Sequence, residues 1–146
     1  MKAKDFYNEM IAAYNVGAAI PSVDANGAAV DLKDYRGGCL FVATVQDSLD
    51  TLSGSVYIEL EIEESDDDST YTDVADADLS NFVAGTNDGT FAKIIASTMV
   101  SNIYKCQYKG SSRYVRAVIN VTGTHTNGTP LQISSLKLGP MIAPAA

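Results

Sequence analysis

The segment from Ser55 to Val74 constrains the fold of this chain more than any other part of the sequence. Apolar and polar side chains alternate over residues 55–63, and Glu64 completes the segment. In an extended strand this pattern places four aliphatic side chains on one face, Val56, Ile58, Leu60 and Ile62. The other face then carries Tyr57, Glu59, Glu61 and Glu63. Residues 65–70 are Ser, Asp and Thr, which favour turns, and Tyr71 begins a second extended run. We predict two half-buried antiparallel strands joined by an exposed acidic turn.

Further segments have the composition of strands, and all of them are separated by turn-forming residues. They are Ala28–Leu32, Cys39–Val45, Phe91–Ala96, Ile103–Tyr108, Arg113–Thr122 and Leu131–Leu138. The segment Cys39–Val45 is almost entirely apolar, which favours a central strand covered on both faces. The turn at 109–112 predicts a hairpin between its two flanking segments. Ser134 and Ser135 mark a predicted bulge in the last strand.

These segments give about seven or eight strands, and no long helix is available to cross between parallel strands. The chain has 146 residues, which suits one domain with a sizeable core. We therefore predict an all-β fold, an antiparallel β-sandwich with jelly-roll-like or immunoglobulin-like wiring. The sandwich domain is predicted over residues 24–146, with an extended tail from Gly139 that has no strand to pair with.

Residues 1–23 are predicted to form an N-terminal arm or short helix. Phe6, Met10 and either Ala13 or Tyr14 recur at helical spacing, so a helix is expected over residues 5–14. Gly17 and Pro21 then interrupt the pattern. This arm is apolar and aromatic, and the sequence leaves open whether it packs on its own domain or on another subunit.

The charge of the chain argues against nucleic acid as a partner. The net charge is −8 and the pI is about 4.4, whereas phosphate-binding surfaces concentrate Lys and Arg. The sequence has no run of about eighteen apolar residues, so no membrane span is predicted. The first residues include two lysines but no apolar segment behind them, so we expect synthesis in a bacterial cytoplasm without a signal peptide.

Catalysis is not predicted. His125 is the single histidine and lies in a turn, where a solvated or locally hydrogen-bonded role is expected. Cys39 and Cys106 fall inside predicted strands, which is typical of small buried hydrophobic residues in a reducing compartment. A disulfide between them would require neighbouring strands. No phosphate-binding loop is present, and no cofactor is predicted.

One acidic cluster has the chemistry to bind a hard cation, because calcium prefers several oxygen ligands. Its members are Glu63, Glu64, Asp66, Asp67 and Asp68. The loop lacks the glycine and the final glutamate of an EF-hand, and a run of charge usually forms a solvated turn. We therefore predict no metal site.

Several of these segments together resemble a group of small structural proteins encoded in the head-gene region of tailed bacteriophages and prophages. The resemblance covers roughly residues 28–140 and is carried by Val30–Leu32, Phe41–Val45, Leu60–Asp67, Thr70–Ala75, Tyr108–Val118 and Val121–Thr124. It implies a capsid decoration, or cement, protein that oligomerises as a dimer or trimer and binds the major capsid protein on the outer surface of the head.

For such a role the best candidate interface is the apolar part of the arm, because aromatic and Met side chains dominate interface energetics. Its residues are Phe6, Tyr7, Met10, Ile11 and Tyr14. A glycan-binding module is an alternative, for which tyrosines at 57, 71, 104, 108 and 114 would have to replace the missing Trp. A tail or head-completion subunit is a further alternative with the same fold.

Overall fold

A computed structural model describes residues 10–141. Within this range there are ten strands and two short 3-10 turns, at Asp76–Asp78 and Ser97–Met99. The strands are β1 (Met10–Ala19), β2 (Ala25–Asn26), β3 (Val30–Asp31), β4 (Cys39–Val45), β5 (Tyr57–Ser65), β6 (Thr72–Asp73), β7 (Thr90–Ile94), β8 (Asn102–Tyr108), β9 (Tyr114–Thr122) and β10 (Leu131–Leu138). No helix in the described range has the length and hydrophobicity needed to cross a membrane.

The strands form two antiparallel sheets, as predicted. Sheet A has the order β1-β10-β4-β8, and sheet B has the order β2-β9-β5-β6, with β3 also paired to β9 and β7 to β5. Strands β2 and β3 can be counted together as one strand position, and so can β6 and β7. Counted in this way, each sheet has four strand positions. The chain then changes sheet at each connection except the one after β5, which is the wiring of a jelly roll.

The core lies between the two sheets and is built from the alternating apolar positions. On β4 every second residue is buried, and on β5 three of the four predicted aliphatic residues, Ile58, Leu60 and Ile62, are buried in the core. Val56 lies just before β5 and is only partly buried. The long ladder between β5 and β9 pairs Leu60 with Ile119 and Ile62 with Ala117, so the apolar faces of these strands coincide. The acidic turn after β5 is also confirmed, because Glu63 pairs with Asp73 of β6.

The predicted helix is wrong over residues 10–14, and its first residues, 5–9, lie outside the described range. Met10 to Ala19 form β1, which pairs antiparallel with β10 and buries Val16 in the core. The weak helical spacing is overridden because pairing with β10 satisfies the backbone and buries apolar surface at the same time. Residues 10–19 are thus part of the sandwich.

Three further local predictions are corrected by the strand pairing. Strands β8 and β9 belong to different sheets, so they form no hairpin. Strand β10 pairs with β4 in unbroken register, and the irregularity lies in β1 around Asn15 rather than at Ser134. The described beginning of the tail is also paired, since Pro140 forms a bridge with Tyr35 and Met141 donates a hydrogen bond to Asp34.

Asn15 joins the two sheets at the β1 side of the sandwich. Its side chain is 5% exposed, accepts the N–H of Ala117 at 2.9 Å through Oδ1, and donates from Nδ2 to the carbonyl of Ala28 at 2.6 Å. The fit leaves no room at Gly27, where an added Cβ would lie 2.0 Å from Asn15 Oδ1. One amide side chain therefore satisfies a donor and an acceptor on sheet B from a strand of sheet A.

Replacing Asn15 with alanine is expected to lower the free energy of unfolding by about 2 kcal/mol, because the buried N–H of Ala117 loses its acceptor. Urea unfolding followed by circular dichroism measures the change. Tyr14→Ala is the matched control in the same strand, since Tyr14 is 70% exposed. Equal losses in the two variants would contradict the proposed role of Asn15.

Candidate functional site

The outer face of sheet A is unusually apolar for a sheet surface. On β4 the residues that alternate with the core positions, Leu40, Val42 and Thr44, are only partly covered by the described residues. The register places residues 132, 134, 136 and 138 of β10, residues 10, 12 and 14 of β1 and residues 103, 105 and 107 of β8 on the same face, where Gln132, Ser134 and Gln107 are polar. Lys105 of β8 is the one charged side chain on this face within residues 10–141. An antiparallel sheet facing water normally presents alternating polar residues there.

The apolar outer face accounts for the continuous apolar run in β4, from which the sequence predicted that both faces of this strand are covered. The inner side of β4 is completely buried, whereas the outer side is not covered by any described element. Tyr14 is 70% exposed and Ile103 of β8 is 63% exposed at its margins. Large exposed apolar patches with a polar surround are typical of protein interaction sites.

The structure places the predicted interface residues in three groups. Met10 and Tyr14 lie on the outer face of sheet A, opposite Leu138 and Ser134 of β10. Ile11 lies on the other side of β1 and lines a groove between β1 and the segment at residues 28–31. Phe6 and Tyr7 lie outside the described residues.

The outer face of sheet B is acidic and has the opposite character. The alternating glutamates of β5 lie on it together with Asp73 of β6, Lys93 of β7 and Arg116 of β9. Arg116 pairs with Glu63 at 2.6 Å, and Lys93 pairs with Glu59 at 3.1 Å. The exposed negative charge on this side of the sandwich lies on Asp73 and on the acidic turn at residues 66–68.

Two of the glutamates on this face are almost completely buried, which the alternation did not predict. Glu59 and Glu61 are each 1% exposed, because the loop before β7 lies over them. The backbone N–H of Thr86 donates to Glu59 at 2.9 Å, and Asn87 Nδ2 donates to Glu61 at 3.3 Å. The partners are 26 and 27 residues away in the sequence, so no short-range pattern could reveal them.

Glu61 has a strongly altered acidity. Burial, together with a smaller contribution from the nearby Asp73 carboxylate, raises the pKa of Glu61 to about 8. Carboxylate oxygens of Glu61, Glu63 and Asp73 lie within 4.8 Å of one another. These three residues are the set that could offer oxygens to a hard cation, although Arg116 already supplies positive charge to Glu63.

The acidic turn at 63–68 does not gather its carboxylates at one point. Asp67 accepts the N–H groups of Ser69 and Thr70 at 2.9 Å each, and these hydrogen bonds, that of Thr70 foremost, lower its pKa. Asp68 accepts from Tyr71 at 2.5 Å, while Glu64 accepts from Tyr108. Asp67 and Asp68 therefore hold the turn through local contacts, whereas Glu64 contacts Tyr108 of β8 on the other sheet.

The tyrosines proposed as a sugar platform are engaged in other contacts. Cations lie over three of the rings: Lys93 at 4.3 Å from Tyr57, Arg116 at 3.9 Å from Tyr71 and Arg113 at 4.8 Å from Tyr114. Tyr104 donates to the carbonyl of Met99 at 2.6 Å, and Tyr108 is buried. These rings are held by their partners rather than displayed as a flat stacking surface.

His125 and the two cysteines occupy structural positions. The His125 side chain is buried, with Nε2 3.1 Å from the carbonyl of Thr122 and Nδ1 3.6 Å from Asp50, so the local hydrogen bond was predicted correctly. Asp50 itself holds the turn by accepting the N–H of Gly128 at 2.7 Å.

Cys39 and Cys106 lie on the neighbouring strands β4 and β8, but both thiols are free and buried. Burial raises the pKa of Cys39 to about 12 and also raises that of Cys106. Both thiols therefore stay protonated and unreactive near neutral pH.

No family model matches this chain. No curated protein matches it either. Among solved structures, it is similar to the SPBc2 prophage-derived protein YomS, with a TM-score of 0.48 and 15% sequence identity over 90% of this chain and 94% of that one.

Proposed function

We propose that this protein is a structural component of a phage particle, a decoration protein that binds the major capsid protein on the outside of the assembled head. The observation that carries the proposal is the contrast between the two outer faces of the sandwich. Sheet A offers a largely apolar surface with one charged side chain among the described residues, while the exposed charge on the side of sheet B is acidic and lies on Asp73 and the turn at 66–68. The resemblance noted in the sequence implies the same role.

In this proposal the outer face of sheet A attaches to the capsid. Leu40 and Val42 lie near its centre, with Leu136 directly opposite Leu40 on β10. Burying such side chains gives about 25 cal/mol for each square ångström of apolar surface removed from water. The strand pairing beneath them holds the surface flat, so little conformational entropy is lost on binding.

The acidic face of sheet B then points away from the head. With a net charge of −8, free copies of the protein repel one another in solution. They also do not bind nucleic acid released nearby. The role requires no chemical reaction and no cofactor. The stiff two-layer core gives the protein a fixed shape, and the contrast between its two outer faces determines which face binds the head.

Co-sedimentation with empty mature heads of the phage that encodes this chain tests the proposal. We expect the purified protein to sediment with the heads and to saturate in a fixed ratio to the major capsid protein. Leu40→Glu should weaken this binding at least tenfold, because it places a charge at the centre of the attaching face. Thr51→Glu adds the same charge at an exposed loop position and should bind normally.

Two results of the co-sedimentation experiment would contradict the proposal. One is the absence of binding to heads at saturating protein, and the other is equal binding by both variants with unchanged stoichiometry. Recovery of the protein in a purified tail fraction instead of the head fraction would also contradict it. Thermal melting of each variant confirms that the folded state is being compared.

A further inference from the structure

The four sheet edges of the sandwich are protected to very different degrees. At the edges of sheet B lie β2, β3 and β6, which have only two residues each, and β7, which has five. In sheet A the edge strand β8 is partly covered by residues 78–81: Ser80 donates its N–H to the carbonyl of Gln107 at 2.9 Å, and its hydroxyl accepts the N–H of Gln107 at 2.9 Å. Short or covered edges are common ways to prevent pairing between chains.

Strand β1 has none of these protections over its first half. It is ten residues long, and no described strand pairs with its outer edge. Residues 10–23 contain no Asp, Glu, Lys or Arg, and the first proline is Pro21, beyond the end of the strand. The register with β10 is regular from Met10 to Tyr14 and becomes irregular only after Tyr14. An exposed, uncharged and regular edge is a template for pairing with another strand.

We infer that two copies of this chain associate by antiparallel pairing of their β1 strands. A second copy fits this edge better than a charged partner, because the rest of the molecule carries a net charge of −8 and this segment carries none. Two acidic molecules can approach here because β1 carries no carboxylate. The backbone N–H and C=O groups that β1 directs away from β10 then gain partners.

A two-fold axis through Ala12 gives the most regular pairing. Residues 10–14 of one copy then face residues 14–10 of the other, and the irregularity at Asn15 stays outside the paired segment. Met10 lies opposite the partner's Tyr14 on the outer face, where a thioether beside an aromatic ring is favourable. Ile11 lies opposite the partner's Ala13 on the inner side, beside the groove at residues 28–31.

The pairing also deepens the proposed function. An antiparallel pair in one continuous sheet is related by an axis perpendicular to that sheet, so both apolar faces of sheet A point the same way. The dimer thus presents an eight-stranded platform of twice the area, with both acidic faces on the opposite side. Two attachment sites held rigidly together bind a repeating lattice far more tightly than one.

Sedimentation velocity of the purified protein alone tests the inference, independently of any capsid. We expect a species of twice the chain mass of 15.5 kDa at micromolar concentration. Ala12→Lys should raise the dimer dissociation constant at least tenfold, because two ammonium groups would meet at the axis. Gln132→Lys adds the same charge on the interior strand β10 and should leave the dimer intact.

Cysteine cross-linking tests the register. Ala12→Cys should give a covalent dimer under mild oxidation, since the two residues face each other at the axis, whereas Ala18→Cys should not. The natural cysteines are buried and do not interfere. A monomer at all concentrations, a trimer, or a dimer unchanged by Ala12→Lys would overturn the inference. A dimer that fails to bind heads would contradict the proposed function alone.

Discussion

Phe41→Ala is expected to lower the free energy of unfolding by about 4 kcal/mol, a large part of the stability of a domain of this size. Phe41 is completely buried between the two sheets and lies opposite Cys106 in the β4–β8 ladder. Removing the ring leaves a cavity that the rigid strand pairing cannot close. Urea unfolding monitored by far-ultraviolet circular dichroism measures the loss.

The neighbouring residue Leu40 provides the matched control. It lies on the same strand with its side chain on the outer face of sheet A, where it is only partly covered. Leu40→Ala should therefore cost about 1 kcal/mol or less. A larger effect of Leu40→Ala than of Phe41→Ala would mean that the inner and outer faces of sheet A have been assigned the wrong way round.

Glu61→Gln is expected to stabilise the protein in alkaline solution and to flatten its dependence on pH. Burial raises the pKa of Glu61 from 4.5 to about 8 in the folded state, with a contribution from Asp73. Between these two values the folded chain holds a proton that the unfolded chain has released. Stability is therefore greatest below pH 4.5 for this group and decreases as the pH rises to about 8.

The expected gain at pH 9 is about 2 kcal/mol, after allowance for screening by water around the covering loop. At pH 5 the variant and the natural protein should differ little, because Glu61 is then uncharged in the folded state. Thermal melting in a series of buffers from pH 5 to pH 9 measures both values.

Glu63→Gln is the control for the adjacent outward position. Glu63 forms the 2.6 Å ion pair with Arg116, so its replacement should destabilise the protein and should not remove the loss of stability between pH 4.5 and about 8. If Glu61→Gln lowers stability equally at pH 5 and pH 9, the carboxyl group acts only through its hydrogen bonds to Asn87 and Asn120.

Most of the strands were predictable because each has a local signal. The alternation in β5 and the apolar run in β4 both lie within fewer than ten residues, and both strands form as predicted. The acidic turn after β5 likewise depends on adjacent residues. The helix predicted over residues 10–14 is wrong because the local signal there is weak and the conformation depends on pairing with β10 more than 110 residues away.

The candidate site was predictable only in part. Met10 and Tyr14 were chosen for their apolar character, and the structure places both on the exposed face of sheet A. The rest of that face could not be assembled from the sequence, since Leu40 and Leu136 become neighbours only through the pairing of β4 with β10. The burial of Glu59 and Glu61 was hidden for the same reason, because the loop that covers them is distant in sequence.

Periodicity along the chain determines that this protein is made of antiparallel strands with one apolar face each, since side-chain alternation is a property of neighbouring residues. The sequence pattern does not show which strands share a sheet. That choice depends on contacts between distant segments, and the entropy cost of closing the loops between them does not appear in the pattern of neighbouring residues. The jelly-roll wiring, the contrast between the apolar and acidic outer faces, and the exposed edge of β1 all arise at that level.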